Sequence, residues 1–219
     1  MQIISVINQK GGVGKTTTVI NLAAGLSQSN KKILVIDLDP QGNATTGLGL
    51  SNMDSSSDTI YGVLNGTKEI GEAIKKTQFN NLDIITSNVD LSGLEVETAD
   101  DGNRAFILKS KLASYLNNSR GSYDYVLIDC PPSLSLLTVM ALVCSNSLLV
   151  PLQTEFFALE GLTQLMKTIE RIKASLNPGL KIRGILLTMY DKRNKLSSQV
   201  EKEARDYFNE KVYSTVIPR

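Results

Sequence analysis

A glycine-rich loop with two lysines lies near the start of the chain. Residues 10–17 read Lys-Gly-Gly-Val-Gly-Lys-Thr-Thr and follow the apolar run Ile3 to Ile7. Glycines let backbone N–H groups approach a polyphosphate, and a helix that begins there adds unpaired N–H groups and a positive dipole end. A strand, a glycine loop and a helix in that order form the setting of a phosphate loop. The segment therefore predicts a site for ATP with Mg²⁺.

The side chains of this loop have separate expected roles. Lys15 is expected to reach the β- and γ-phosphates, and Thr16 to place its hydroxyl on Mg²⁺. The common pattern has a glycine five positions before Gly14, where this chain has Gln9, and a second lysine opens the loop instead. The predicted ATP-binding residues of the loop are Lys10, Gly11, Gly12, Val13, Gly14, Lys15, Thr16 and Thr17.

Three aspartates follow apolar runs that have the pattern of buried strands. Asp37 and Asp39 come after Ile33 to Ile36, and Asp129 comes after Tyr125 to Ile128. One carboxylate near a metal can hold its water shell, and another can orient or deprotonate an attacking water. A single aspartate at a strand end is as often a turn former or a helix cap. Three of them beside a phosphate loop favour a magnesium-dependent hydrolase.

The composition narrows the chemistry that the chain can perform. The chain has 219 residues, 42% of them hydrophobic and 21% charged, which is typical of one globular α/β domain. Its sequence contains no histidine, so Ser-His-Asp sites and His-ligated zinc are excluded. The net charge of +1 gives no bulk field for nucleic acid, so any DNA binding must use a local patch. Cys130 and Cys144 are expected to be buried free thiols, which suits a reducing cytoplasm.

Apolar runs alternate with segments of helical period along the whole chain. Such runs are typical of strands buried on both faces of a parallel sheet, so we expect a doubly wound, mostly parallel α/β fold over residues 1–219. The segments from Gly42 to Asp58 and from Asp100 to Asn103 are expected to be a loop and a turn before a helix. The predicted strands are Ile3 to Ile7, Ile33 to Ile36, Leu82 to Ile85, Tyr125 to Ile128, Leu148 to Val150 and Ile182 to Leu187; Leu162, Leu165, Met166, Ile169 and Ile172 form the expected buried stripe of one helix.

Two apolar segments lack the features of membrane or export signals. The start of the chain has no basic region before its apolar residues, so it is interpreted as a core strand rather than a signal peptide. The stretch from Leu134 to Leu152 contains several polar residues and a proline, so a membrane span is not expected there.

The motifs taken together resemble the deviant Walker A ATPases of the ParA/Soj type, which partition chromosomes and plasmids. Beside the loop, the stretch Ile36 to Thr45 is similar to the second motif of the family, and Leu127 to Ser133 is similar to the third. The resemblance covers nearly the whole chain. It implies a P-loop NTPase fold of the deviant Walker A type.

The resemblance implies roles for the acidic residues and for the second lysine. It ties Asp39 to hydrolysis, Asp37 to the metal and water network, and Asp129 to Mg²⁺ through water. It implies that Lys10 crosses a dimer interface to the nucleotide of the other subunit, so that the homodimer depends on ATP. The expected catalytic residues are Asp39, Lys10, Lys15 and Asp37, and the expected metal site consists of Thr16, Asp37 and Asp129.

The resemblance also implies which residues bind DNA and the adenine base. Arg193 matches a DNA-binding arginine of the family, and with Lys192 and Lys195 it forms the expected site for nonspecific DNA. Three basic residues in a loop are otherwise most often a solvated surface. Met189 and Pro218 are the expected neighbours of adenine.

The leading hypothesis is a cytoplasmic, nucleoid-associated ATPase with slow, magnesium-dependent turnover. The resemblance implies a dimer that forms with ATP, binds DNA nonspecifically and is released when a ParB-type centromere-binding partner stimulates hydrolysis, without stable membrane insertion. A MinD-like membrane-associated positioning ATPase is the alternative, although the sequence shows no terminal amphipathic helix of the kind it uses. An iron–sulfur reductase fits less well because neither cysteine is suitably placed, and the second motif argues against a dethiobiotin-synthase relative.

Members of the resembled family continue beyond the position of Arg219. The sequence is therefore expected to lack a C-terminal part, which would include some of the adenine pocket and of the DNA surface.

Overall fold

A computed structural model describes residues 1–51, 55–118 and 123–219. Within these ranges the strands are β1 (Gln2–Val6), β2 (Ile33–Asp37), β3 (Ile74–Lys76), β4 (Leu82–Ile85), β5 (Tyr125–Asp129), β6 (Ser147–Gln153), β7 (Lys181–Tyr190) and β8 (Val212–Pro218). They form one sheet in the order β3-β4-β2-β5-β1-β6-β7-β8. All described pairs are parallel except β3 with β4.

Helices connect most of the strands. The α-helices of the described residues are α1 (Lys15–Gln28), α2 (Asn43–Gly47), α3 (Ile60–Leu64), α4 (Ile70–Ala73), α5 (Leu94–Glu97), α6 (Ile107–Asn118), α7 (Leu136–Cys144), α8 (Ala158–Ser175) and α9 (Lys195–Phe208). Short 3₁₀ turns cover Ser56–Asp58, Val89–Gly93, Arg104–Phe106 and Asn209–Lys211.

The central strands are buried on both faces, as their continuous apolar runs predict. In β2, Leu34 and Ile36 belong to the core that contains residues of α3 to α7, whereas Ile33 and Val35 belong to the core around α1. This alternation follows from the two-residue period of a strand. The doubly wound α/β fold is confirmed.

All six predicted strands are present, and several extend further than their apolar runs. Two strands at the sheet edges were not predicted. The last, β8, is mostly exposed, and β3 has only three residues, one of them exposed. Edge strands need not bury both faces, so their sequences lack the apolar run that indicated the other six.

The predicted helix with the buried stripe is α8. Leu162, Leu165, Ile169 and Ile172 are buried along it, and Met166 is partly buried. The turn at residues 100–103 leads into a 3₁₀ turn and then α6, as expected. The prediction of a loop from Gly42 to Asp58 is wrong in part, because α2 begins at Asn43 and a 3₁₀ turn covers Ser56–Asp58; residues 52–54 of that segment lie outside the described residues.

Both cysteines are free and buried, as expected. In the described ranges, none of the helices has the length and the apolar character that a membrane crossing requires.

The buried stripe of α8 gives a direct test of the fold. Leu165 is fully buried, so Leu165→Ala should lower the free energy of unfolding by about 2–5 kcal/mol through lost apolar contact and a residual cavity. The neighbouring Gln164 is exposed, so Gln164→Ala should change this free energy by less than about 0.5 kcal/mol. Urea unfolding followed by circular dichroism measures both, and equal effects would contradict the assigned face of the helix.

Candidate phosphate and magnesium site

The candidate site lies at the carboxyl edge of the three central strands. Val6 at the end of β1 and Asp37 at the end of β2 both pair in register with Asp129 at the end of β5. The chain leaves β1 and forms the glycine loop directly beside these carboxylates. Ligands of doubly wound sheets bind at this edge.

The loop has a backbone shape that glycine makes accessible. Gly12 and Gly14 have φ angles of 74° and 89°, which side-chain-bearing residues rarely adopt. The Thr188 hydroxyl, near the end of β7, donates a 2.9 Å hydrogen bond to the Val13 carbonyl and ties the loop to a distant strand. The Thr18 hydroxyl donates to the Gly14 carbonyl at 2.7 Å in the first turn of α1.

Lys15 is the buried cation of the site. Only 7% of the residue is exposed, and its Nζ donates a 2.9 Å hydrogen bond to the Lys10 carbonyl. Burial lowers the pKa of Lys15, while the charges of Asp129 and Asp39 act in the opposite direction. The ammonium group is thus surrounded by the backbone of the loop and by the strand-end carboxylates.

Lys10, the second lysine, is half exposed at the mouth of the loop. Its Nζ forms an ion pair with Glu155, which follows β6. The next two residues, Phe156 and Phe157, are exposed and pack edge to face with a ring distance of 4.9 Å. The lysine that is predicted to cross a dimer interface is therefore paired with a carboxylate, and two exposed aromatic residues follow that carboxylate in the sequence.

Asp37 is fully buried and accepts three hydrogen bonds. Its Oδ2 accepts from the backbone and hydroxyl of Thr45 at 2.8 and 2.7 Å, and its Oδ1 accepts from the Asp39 amide at 3.2 Å. Burial raises the pKa of Asp37 to about 6 against the effect of these hydrogen bonds. The carboxylate therefore fixes the start of α2 and the position of Asp39.

Asp129 has a different environment. It is fully buried, yet within the described chain neither of its carboxylate oxygens accepts a hydrogen bond of regular geometry. Burial raises the pKa of Asp129 to about 8, with a further contribution from the charge of Asp37, whereas Thr16 and Lys15 favour the ionised form. An unpartnered buried carboxylate beside a threonine hydroxyl is suited to hold the water shell of Mg²⁺.

Magnesium fits this donor set in the manner typical of nucleotide sites. The described residues contain no group of three or more His, Cys, Asp or Glu side chains that could hold an ion alone. Mg²⁺ usually keeps several waters and uses one or two protein oxygens with phosphates, so a full protein cage is not required. Of the predicted metal residues, Thr16 and Asp129 adjoin each other, while Asp37 already accepts hydrogen bonds from within the chain.

Asp39, the predicted catalytic carboxylate, lies two residues beyond β2. It is 6% exposed, and its Oδ1 accepts a 3.0 Å hydrogen bond from the Gln41 amide. Its charge acts on Lys15 and on Asp129, so it lies within electrostatic range of both.

The two predicted adenine neighbours line one cavity. This cavity, of about 700 Å³, is bounded by Met189 and Pro218 and also by Gly14, Thr17 and Thr18 of the loop and α1. Its walls are mostly apolar and include Ile4, Leu149 and Leu186 of the sheet. A flat apolar base could enter there while its phosphates remain on the loop.

The predicted DNA-binding residues lie beyond the carboxyl end of β7. Lys192, Arg193 and Lys195 are all exposed, and Lys195 begins α9. They belong to the same edge of the sheet as the phosphate loop but come from a different strand.

Sequence reasoning missed the residues that hold the loop from a distance. Thr188 and Glu155 were not predicted, and neither was Asn8, whose amide donates to the Pro151 carbonyl at 2.7 Å and whose Oδ1 accepts from the Lys10 amide. A polar residue directly after a predicted strand was the available signal for two of them, since Asn8 follows the run Ile3 to Ile7 and Thr188 follows the run Ile182 to Leu187. Glu155 lies five residues beyond the run Leu148 to Val150 and had no such signal.

The sequence resembles known families over its full length. A model of the AAA domain family matches residues 1–182. The chromosome partitioning protein ParA of Caulobacter vibrioides is 51% identical over 219 residues, which cover all of this chain and 81% of that protein. The sporulation initiation inhibitor protein Soj of Bacillus subtilis is 47% identical over 218 residues and is covered to 84%.

Solved structures are also similar to this fold. Cobyrinic acid a,c-diamide synthase from Mycobacterium smegmatis, crystallised with ADP and magnesium, has a TM-score of 0.91 and 37% identity; the match covers all of this chain and 87% of that one. A plasmid partition protein from Borrelia burgdorferi bound to AMPPNP has a TM-score of 0.80 and 29% identity, with coverage of 100% and 87%.

The carboxyl group of Asp129 should make stability depend on pH. Because its folded pKa lies above the value of an unfolded chain, the folded state holds the proton more tightly, and stability falls as pH rises from about 4 toward 8. Without nucleotide, Asp129→Asn should therefore raise the free energy of unfolding by about 2 kcal/mol or more at pH 8, and by less at pH 5. Urea unfolding at the two pH values measures the difference.

The exposed Asp101 provides the matched control for this substitution. Its carboxylate only accepts from the Asn103 amide in a turn, which an asparagine can also do, so Asp101→Asn should have an effect below about 0.5 kcal/mol at either pH. A gain for Asp129→Asn that is equal at both pH values would show that the charge of Asp129 does not cause it.

Proposed function

The chain belongs to the ParA/Soj family of chromosome-partitioning ATPases, and on this basis we propose that it is a DNA-partitioning ATPase that works as an ATP-dependent dimer. In this proposal the dimer binds DNA nonspecifically on the nucleoid in the cytoplasm. A ParB-type partner stimulates slow hydrolysis, and hydrolysis releases the DNA. The observation that carries the proposal is the glycine loop, with Lys10 at its mouth, over the buried carboxylates of β2 and β5.

The loop would bind the phosphates of ATP through its backbone N–H groups and Lys15. The Lys15 ammonium now donates to the Lys10 carbonyl, and a β- or γ-phosphate would offer a stronger, charged acceptor in the same region. Thr16 and Asp129 would hold Mg²⁺ with its water shell, and the ion would supply positive charge to the triphosphate. Met189 and Pro218 would flank the adenine in the apolar cavity.

Hydrolysis would depend on Asp39, positioned by Asp37. Asp37 binds Thr45 and the Asp39 amide together, so it fixes the turn from which Asp39 projects. Asp39 would orient the attacking water or accept its proton as the γ-phosphate leaves. In this proposal turnover is slow because Asp39 reaches its catalytic position only when the partner protein is bound.

Dimerisation would use Lys10 and the surface around Glu155. Two ATP-bound loops that face each other bring like charges together, and a lysine from each subunit would offset them. In the single chain the ammonium of Lys10 is bound by Glu155, so the pair must open before Lys10 reaches a second nucleotide. The exposed Phe156 and Phe157 lie next to this pair and offer apolar area to a second copy.

Asp39→Ala tests the catalytic assignment. ATP binding and dimerisation should persist because the loop and Lys15 are intact, while turnover should fall about 100-fold or more through loss of a general base. Phosphate release and equilibrium binding of labelled ATP measure the two properties, with Asp101→Ala as a surface control. Turnover at the rate of the unsubstituted chain would remove Asp39 from the catalytic role.

Retention on nonspecific duplex DNA tests the proposed function as a whole. Binding is expected with ATP and Mg²⁺ but not with ADP or without nucleotide, and it should weaken strongly between about 0.05 and 0.2 M salt, because phosphate contacts release counterions. Lys15→Ala should abolish it through loss of ATP binding. Absence of DNA binding in every nucleotide state, combined with ATP-dependent binding to anionic lipid vesicles, would favour the MinD-like alternative.

Arg193→Gln extends this assay to the predicted DNA surface. It should weaken retention and reduce the slope of log affinity against log salt by about one per DNA-contacting arginine, with ATP turnover in the absence of DNA unchanged. Arg171 is an exposed arginine near the end of α8, toward the opposite edge of the sheet, so Arg171→Gln is the matched control. Equal effects of the two substitutions would assign Arg193 to the solvated surface.

A further inference from the structure

The basic loop after β7 contains an acidic residue that contacts its central arginine. Asp191 accepts hydrogen bonds from Arg193 at both carboxylate oxygens: Nε lies 3.0 Å from Oδ1 and Nη2 lies 3.0 Å from Oδ2. The backbone amide of Arg193 also donates to Oδ1 at 2.9 Å. The guanidinium group of Arg193 is therefore already engaged in a bidentate contact with a carboxylate.

A phosphate would use the same donors. The planar fork of arginine fits a carboxylate and a phosphate in the same bidentate geometry. The two side chains differ in freedom, since that of Arg193 is 91% exposed and that of Asp191 only 28%. The arginine can thus turn toward a ligand in solution, while the carboxylate stays in the turn, where it also binds the amide of Arg193.

The charge of a second arginine, Arg219, also acts on this carboxylate. Arg219 follows β8, and its amide donates to the Tyr190 carbonyl at 3.3 Å, directly before Asp191. The hydrogen bonds from Arg193, together with a smaller effect of the Arg219 charge, lower the pKa of Asp191 to about 2. Asp191 therefore remains ionised at any pH at which the protein would bind DNA, and within the described residues Arg193 is the arginine whose side chain donates hydrogen bonds to it.

We propose that Asp191 occupies the phosphate-binding fork of Arg193 and lowers the affinity of this loop for DNA by direct competition. The inference rests on the proposed DNA binding and adds a residue that sets its strength. A DNA phosphate must displace the carboxylate from Arg193 before it gains the bidentate contact. When the carboxylate has lost Arg193, the charge of Arg219 still offsets a small part of its charge.

Asp191→Asn tests the competition. Asparagine can still accept the amide of Arg193 and keep the turn, but it no longer carries the charge that holds the guanidinium. With ATP and Mg²⁺, the dissociation constant for nonspecific duplex DNA should fall about two- to five-fold per chain, the range expected for an exposed ion pair. Fluorescence anisotropy with a labelled duplex measures it, and Asp191→Ser, which also keeps a turn acceptor, should act in the same direction.

The control is the same substitution in a chain without the arginine fork. Loss of any negative charge near a DNA surface strengthens binding somewhat, and that general effect persists when Arg193→Gln is present. Competition for the fork predicts that the gain from Asp191→Asn largely disappears in the Arg193→Gln background. An equal gain in both backgrounds would overturn the inference, as would unchanged or weaker binding by both Asp191 variants.

Failure of the proposed function has a separate signature. If the unsubstituted chain and all variants hydrolyse ATP yet none binds DNA in any nucleotide state, DNA binding itself is wrong and the inference falls with it. If the unsubstituted chain binds DNA with ATP and only the predicted gain is missing, the proposed function stands and the role of Asp191 is refuted. ATP turnover without DNA should be the same for Asp191→Asn and the unsubstituted chain.

Discussion

The pairing of β5 between β1 and β2 is the constraint on which the rest of the structure depends. Parallel pairing aligns the carboxyl ends of these strands, so Asp37 and Asp129 become neighbours and the glycine loop leaves β1 beside them. Two buried carboxylates repel each other, and the burial of their charge opposes folding. Burial and the charge of Asp37 accordingly raise the pKa of Asp129. The carboxyl of Asp129 therefore holds a proton more readily than an exposed aspartate does, and the charge of Lys15 offsets part of this effect.

The hydrogen-bond donors around each carboxylate determine whether its oxygens are available to a ligand. Asp37 accepts three hydrogen bonds from Thr45 and Asp39, so its charge is used to shape the second motif. Asp129 accepts none of regular geometry within the described chain, so its oxygens remain available beside Thr16. Residues of the same type at equivalent strand ends thus have different hydrogen-bond environments, and the difference arises from the segment that follows each strand.

Local sequence predicted the parts of the fold and the site that are local in origin. Continuous apolar runs identified six strands, and the glycine loop after β1 located the candidate phosphate site, because both depend on neighbouring residues. The contacts from Glu155 to Lys10 and from Thr188 to Val13 join residues 145 and 175 positions apart, and only the order of the strands brings them together. The edge strands β3 and β8 were not predicted for a related reason. They form by pairing with a neighbouring strand and are mostly not buried, so they have no continuous apolar run.

The end of β7 connects the two candidate ligand sites within four residues. Thr188 binds the phosphate loop, Met189 lines the base cavity with a φ of 49°, and Asp191 holds Arg193. A left-handed backbone conformation costs free energy in any residue other than glycine and persists only where the surrounding structure fixes it. The direction in which the chain leaves β7 is therefore fixed at Met189, beside the base cavity. The two candidate sites are therefore joined by a short stretch of chain whose direction Met189 fixes, with the Asp191–Arg193 contact at its far end.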